Sequence, residues 1–195
     1  KWIDLSEAPN LLSLDCSDNE LTELSLTTNT ALQELDCSGN NLKSLSAVKA
    51  QALRSLDCAG NALTTLNIVP NNSLEYININ DNQISSLNVR TKNKLRSLWA
   101  ANNKLTLLSF SNYAPMQSLV CPQNAIEIVQ LQNRAQIQDV WIAGNKITDF
   151  DLSESAELKT LDVSNNELDT LALSKDITSE NPMQYINCSD NHLSY

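Results

Sequence analysis

The chain has 195 residues, 42% of them hydrophobic, and a formal net charge of −10. That balance excludes a nucleic-acid backbone as partner, because gripping phosphates needs a Lys/Arg surface, whereas acidity by itself chiefly keeps a protein soluble. No apolar run approaches the roughly 18 residues that cross a bilayer, and five cysteines, an odd number, fit poorly with a disulfide-stapled scaffold.

The predicted elements are copies of one unit. From Leu11 the string LxxLxCxxNxL places Leu11, Leu14, Cys16, Asn19 and Leu21, and it returns from Leu32, Leu53, Leu74, Leu95, Met116, Ile137 and Leu158 at a constant spacing of 21 residues. A ninth copy starts at Met183, after 25 residues. Self-similarity at such a period marks a solenoid. Each copy opens on a short strand, Leu14-Asp15-Cys16 in the first, with side chains alternating inward and outward. Parallel strands stack about 4.8 Å apart, so nine of them make a sheet roughly 40 Å along the stack.

An asparagine follows every strand: Asn19, Asn40, Asn61, Asn82, Asn103, Asn124, Asn145, Asn166 and Asn191. Its amide can both donate to and accept from backbone groups that the turn leaves unpaired, and an apolar replacement would cost on the order of 1–3 kcal/mol. Gly39, Gly60 and Gly144 each fall directly before this asparagine, which is turn chemistry and not a phosphate loop. Three more apolar positions, Leu21, Leu24 and Leu26 in the first copy, bring the inward side chains to six per turn. No copy can bury its own apolar face, so stability comes from its neighbours. The expected fold is a right-handed leucine-rich-repeat solenoid, a β-rich α/β horseshoe with about nine parallel strands on its concave face and little helix. It forms a single domain over residues 1–195. The four extra residues of the irregular copy fall within 174–182. They are expected to bulge away from the sheet, where lengthening a loop is entropically cheap, with Ile177 tucked against the convex side.

Cys16, Cys37, Cys58, Cys121 and Cys188 share one repeat position, the second inward side chain of the strand. Neighbouring Cβ atoms at strand spacing are too far apart for a relaxed disulfide, and an apolar core is a poor place for a thiolate or a metal. Buried free thiols are expected.

The repeat resembles the bacterial internalin-type leucine-rich repeats, in the variety that carries a cysteine ladder. The clearest matches are LLSLDCSDNELTELSLTTNTA (11–31) and LQELDCSGNNLKSLS (32–46), and the likeness runs over essentially the whole chain. The resemblance implies a bacterial surface or secreted protein, often an adhesin, that meets its partner on the concave sheet. It is specific for fold and much less so for ligand. Lys1 to Leu5 reads as the tail of a preceding copy and Tyr195 follows just after the inward Leu193. End caps are therefore missing, and a fragment of a longer array is expected.

Outward strand positions are where copies differ. The central column runs Asp15, Asp36, Asp57, Asn78, Trp99, Val120, Trp141, Asp162, Asn187. Two tryptophans on a solvated sheet form a contiguous patch that calls for a partner, and rigid aromatics are the usual centre of an interface. The candidate ligand-binding residues are Tyr76, Ser97, Trp99, Ala101, Val120, Pro122, Asp139, Trp141 and Asp162. The alternative is that flanking loops or another domain cover the tryptophans. Asp15, Asp36 and Asp57 form a second, acidic patch, suited to a cation or a basic partner, or simply screened by Ser17, Ser38 and water. His192 is the only histidine, has no nucleophile arranged around it, and reads as a surface residue. A flat sheet offers no pocket for a hydrolytic carboxylate pair. The two Asn-x-Ser/Thr sequons, Asn71 and Asn187, carry no functional weight. The expectation is a non-enzymatic scaffold without metal or cofactor that binds a protein, with glycan recognition and a purely structural spacer as the alternatives.

Overall fold

The computed structural model describes residues 1–179 and 181–194. One three-residue strand per copy builds a parallel sheet in chain order: Ser13–Asp15, Glu34–Asp36, Ser55–Asp57, Tyr76–Asn78, Ser97–Trp99, Ser118–Val120, Asp139–Trp141, Thr160–Asp162 and Tyr185–Asn187. The register is copy on copy, with Leu14 opposite Leu35 and Leu56 opposite Ile77. A period of 2 along each strand then fixes the faces: Leu56 and Leu98 point into the core while Trp99 stands outside.

The irregular interval leaves this register untouched, since Leu161 pairs with Ile186 just as Val140 pairs with Leu161. The extra residues are taken up in the return path. There Ile177 packs against the core, and Asn181 Nδ2 donates to the Ala156 carbonyl at 3.0 Å. Glu180 and Tyr195 lie outside the described residues.

Among the described residues the return path contains no helix. With 21 residues per turn, the two corners and the inner strand leave a return path too short for a stable one. The chain there is extended enough to pair locally instead: Ser44–Ser46 with Thr65–Asn67, Leu107–Ser109 with Ile128–Gln130, and Asp151–Leu152 with Ala172–Leu173. The expected scarcity of helix thus holds among the described residues, and these outer ladders line the return path instead.

The six inward positions form one continuous core, as in Leu95, Leu98, Ala100, Leu105, Leu108 and Phe110. The asparagine ladder ties its copies together. Asn82 donates through Nδ2 to the carbonyls of Cys58 (2.9 Å), Ile79 (3.1 Å) and Asn80 (3.1 Å), and its Oδ1 accepts the Leu63 N–H at 2.9 Å. The residue before each ladder asparagine has a left-handed backbone in all nine copies. Glycine fills it at Gly39, Gly60 and Gly144, and Asp18, Asp81, Asn102, Gln123, Asn165 and Asp190 adopt it elsewhere. Asp and Asn tolerate that conformation better than other L-residues.

A second set of polar contacts crosses the far corner. Asn29 Nδ2 donates to the carbonyls of Leu5 and Ala8, and Asn71 Nδ2 to those of Ala47 and Ala50. Asn71 is fully buried by these bonds, so its sequon is sterically closed. Lys92 occupies the same repeat position. It lies buried with its Nζ donating to the Val69 carbonyl at 2.8 Å, and burial lowers its pKa.

Candidate functional site

The sheet register sets Trp99, Val120, Trp141 and Asp162 on four successive strands of one outward column. Tyr76, Ser97, Ser118, Asp139 and Thr160 occupy the column beside it. Trp99, Trp141 and Tyr76 are exposed, at 44%, 36% and 48%. Ser97, Ala101, Val120, Pro122, Asp139 and Asp162 are half-buried around them. The candidate binding residues within the strands therefore share the concave face, and Ala101 and Pro122 follow two residues after Trp99 and Val120.

The aromatics group into two clusters. Toward the end of the sheet, Trp141 stacks on Tyr185, with ring centroids 5.3 Å apart and planes inclined by 8°. Trp141 Nε1–H donates to Thr160 Oγ1 at 3.1 Å, and that hydroxyl donates to Asp139 Oδ1 at 2.7 Å. Toward the middle, Trp99 and Tyr76 border a pocket of about 210 Å³ that Ser55, Asp57, Asn78 and Ser97 complete. Half-buried Ser118 and Val120 separate the clusters.

Tyr185 escaped the sequence reading. Its signal was present, because Tyr185-Ile186-Asn187 repeats Tyr76-Ile77-Asn78 letter for letter.

The aspartate column is held by local donors. Asp15 Oδ1 accepts the backbone N–H of Ser17 at 3.0 Å and its hydroxyl at 2.6 Å, and Asp36 is bonded in the same way by Ser38. The Ser17 hydroxyl and then its N–H hold the Asp15 carboxyl below the ordinary range. Asp57 accepts the Ala59 N–H at Oδ1 and Asn78 Nδ2 at Oδ2, at 3.0 and 2.8 Å. Among the described residues, no three or more His, Cys, Asp or Glu side chains gather in a way that could hold a metal.

All five cysteines are free, four buried and Cys188 half-buried. The Sγ of Cys16, Cys37 and Cys58 approaches the carbonyl of Asp36, Asp57 and Asn78 at 3.5–3.6 Å, so each thiol donates to the next copy. Burial pushes the Cys37, Cys58 and Cys121 thiols far above the ordinary range. His192 is exposed. No helix among the described residues is long and apolar enough to cross a membrane.

The chain matches a family described as leucine-rich repeats (2 copies) over residues 9–50. No curated protein matches it. Among solved structures it is similar to the functional domain of InlJ from Listeria monocytogenes, described as including a cysteine ladder. Identity is 29% and the TM-score 0.88, with 95% of this chain and 41% of that one covered. It is also similar to YopM, a leucine-rich effector protein from Yersinia pestis, at 26% identity and a TM-score of 0.69, covering 94% of this chain and 62% of that one. A leucine-rich-repeat protein of Leptospira interrogans shares the fold at 21% identity and a TM-score of 0.70, covering 89% and 47%. The chain thus spans about two fifths of the length of the InlJ domain.

Proposed function

We propose that this internalin-like leucine-rich-repeat chain is a non-catalytic recognition scaffold of a bacterial surface or secreted protein. It binds a protein partner through its concave sheet. One observation carries the reading: two aromatic clusters, Tyr76 with Trp99 and Trp141 with Tyr185, stand exposed on one face of a sheet whose every strand is locked in register. A rigid backbone removes the ordering cost of binding, and each aromatic offers roughly 150–250 Å² to bury. The half-buried polar residues around them, Ser97, Asp139 and Asp162, supply a rim that can hydrogen-bond.

Glycan recognition is the second reading. The Trp141–Tyr185 stack, with Thr160 and Asp139 hydrogen-bonded beneath it, also suits the face of a sugar ring.

The test immobilises the chain and its Trp99→Ala/Trp141→Ala double variant, captures from cell extract, and probes a glycan array in parallel. A protein retained by the wild type and lost by the double variant supports the proposal. Array binding without protein capture moves the assignment to the second reading, and equal capture by both chains removes the concave face from it.

A further inference from the structure

We infer that the pocket between Tyr76 and Trp99 takes the cationic side chain of a basic polypeptide segment, which then runs over Asp57 toward Asp36 and Asp15. The inference rests on the concave face being a protein-binding surface, and it names the chemistry of the partner.

Asp57, Asn78 and Trp99 occupy one outward column on three successive strands. Carboxylate and indole are therefore anchored about 10 Å apart along the stack, with Asn78 between them. Tyr76 flanks that span from the adjacent column, and the space enclosed is about 210 Å³. The Asp57 carboxylate is held from both sides by neutral donors, Ala59 N–H at 3.0 Å and Asn78 Nδ2 at 2.8 Å. Among the described residues no Lys or Arg forms an ion pair with Asp15, Asp36 or Asp57.

Two aromatic rings beside a fixed carboxylate that no Lys or Arg neutralises select for a cation. The rings attract positive charge through their quadrupoles, and the carboxylate adds a charge-assisted hydrogen bond. A neutral apolar side chain would gain the rings but cover the carboxylate without a countercharge, which is costly. An anion would be repelled.

The surroundings point the same way. A shallow trough of about 510 Å³ continues from the pocket across Glu34, Asp36 and Asp15, sharing Tyr76 and Asp57 with it. The whole chain carries 23 acidic against 13 basic residues, a field that draws a basic segment toward this face and speeds its arrival.

The probe is hexalysine, with its fully Nε-acetylated form as the neutral counterpart, titrated calorimetrically at low salt. The wild-type chain is compared with Trp99→Ala, Asp57→Asn and the return-path control Glu127→Gln, each checked for folding by circular dichroism. Trp99→Leu replaces Trp99→Ala should the latter fail to fold. Hexalysine is expected to bind and the acetylated peptide to be silent. The Trp99 and Asp57 variants should each weaken binding by about fivefold or more, and Glu127→Gln should leave it unchanged. Affinity should fall as salt rises. No binding of hexalysine, equal binding of the acetylated peptide, or wild-type affinity in both pocket variants would overturn the inference. So would a neutral oligosaccharide held by Trp99 and indifferent to Asp57→Asn. A protein captured from extract and lost with the tryptophans, with hexalysine silent, would overturn the cation pocket alone and leave the recognition face standing.

Discussion

Trp141 and Tyr185 stack across an intervening strand, their centroids 5.3 Å apart, with the Thr160 hydroxyl accepting the indole N–H beneath them. The pair ties the Tyr185–Asn187 strand, the last in the described sheet, to the strand two places before it. Tyr185→Ala should cost about 0.5–1.5 kcal/mol for the stack itself, beyond the lost area. It should also weaken the near-ultraviolet signal of Trp141. Urea unfolding with near-ultraviolet circular dichroism checks both, and an unchanged signal would mean that the rings are apart in solution.

The asparagine ladder should show a position dependence. Asn82→Leu leaves the buried Leu63 N–H without its partner, at a cost on the order of 1–3 kcal/mol. It also takes one of two donors from each of the Cys58, Ile79 and Asn80 carbonyls, which keep Asn61, Asn103 and the Gly60 N–H respectively. Asn19 is exposed and its Nδ2 bonds only within its own copy, to Cys16 and Ser17. Asn19→Leu should therefore be clearly milder. Equal losses in denaturant midpoint would contradict the cross-copy role.

Gln123 is the one residue other than Gly, Asp or Asn that holds the left-handed position, at φ 57°. Gln123→Gly should stabilise the chain by up to about 1 kcal/mol, since a left-handed L-residue costs about 1–2 kcal/mol and glycine returns part of that in entropy. Gly144→Ala should do the reverse. Its added Cβ would press on the Gln123 side-chain amide in a backbone that already has φ +67°. Thermal midpoints of the two variants should move in opposite directions.

The thiols set an upper pH limit. Burial raises the Cys37, Cys58 and Cys121 pKa values above the ordinary 9.0, so above that pH the unfolded chain loses protons that the folded chain keeps. Their contribution is fully present below about pH 9 and declines as pH rises further, by about 1.4 kcal/mol per pH unit for each thiol still held neutral. The chain should lose stability between pH 9 and 11, and a variant with all three changed to Ala should lose less over that interval. In the native state at pH 8, half-buried Cys188 should react with a thiol reagent before the three buried cysteines. Rapid native labelling of Cys37 or Cys58 would overturn their inward placement.

The repeat made most of the fold legible, because each inward position recurs nine times and one misread copy changes nothing. Leu14 facing Leu35 follows from spacing alone. The return-path ladders were not legible, since Ser44-Leu45-Ser46 and Ile128-Val129-Gln130 share no outward pattern beyond one inward residue each. The position of Asn29 and Asn71 recurs in the 21-residue unit, but its cross-corner bonds were not legible, because Ala50 interrupts the series and Lys92 reaches a carbonyl through a longer arm. On the concave face, columns could be read but not side-chain lean. Trp141 resting on Tyr185 instead of filling the space toward Trp99 is a rotamer outcome, set by the Thr160 hydroxyl and by room two strands away.

The central claim is that the concave aromatics carry recognition, and affinity measured by calorimetry for the captured partner tests it most directly. Four chains are compared: wild type, Trp99→Ala, Trp141→Ala, and Tyr113→Ala, which truncates an exposed aromatic at the far-corner repeat position of Asn71 and Lys92. Truncating an aromatic at the centre of an interface typically costs 2 kcal/mol or more, so each tryptophan variant should bind roughly thirtyfold more weakly or worse. Tyr113→Ala should match the wild type. Wild-type affinity in both tryptophan variants, with the loss falling on Tyr113→Ala, would contradict the account and move recognition off the concave sheet.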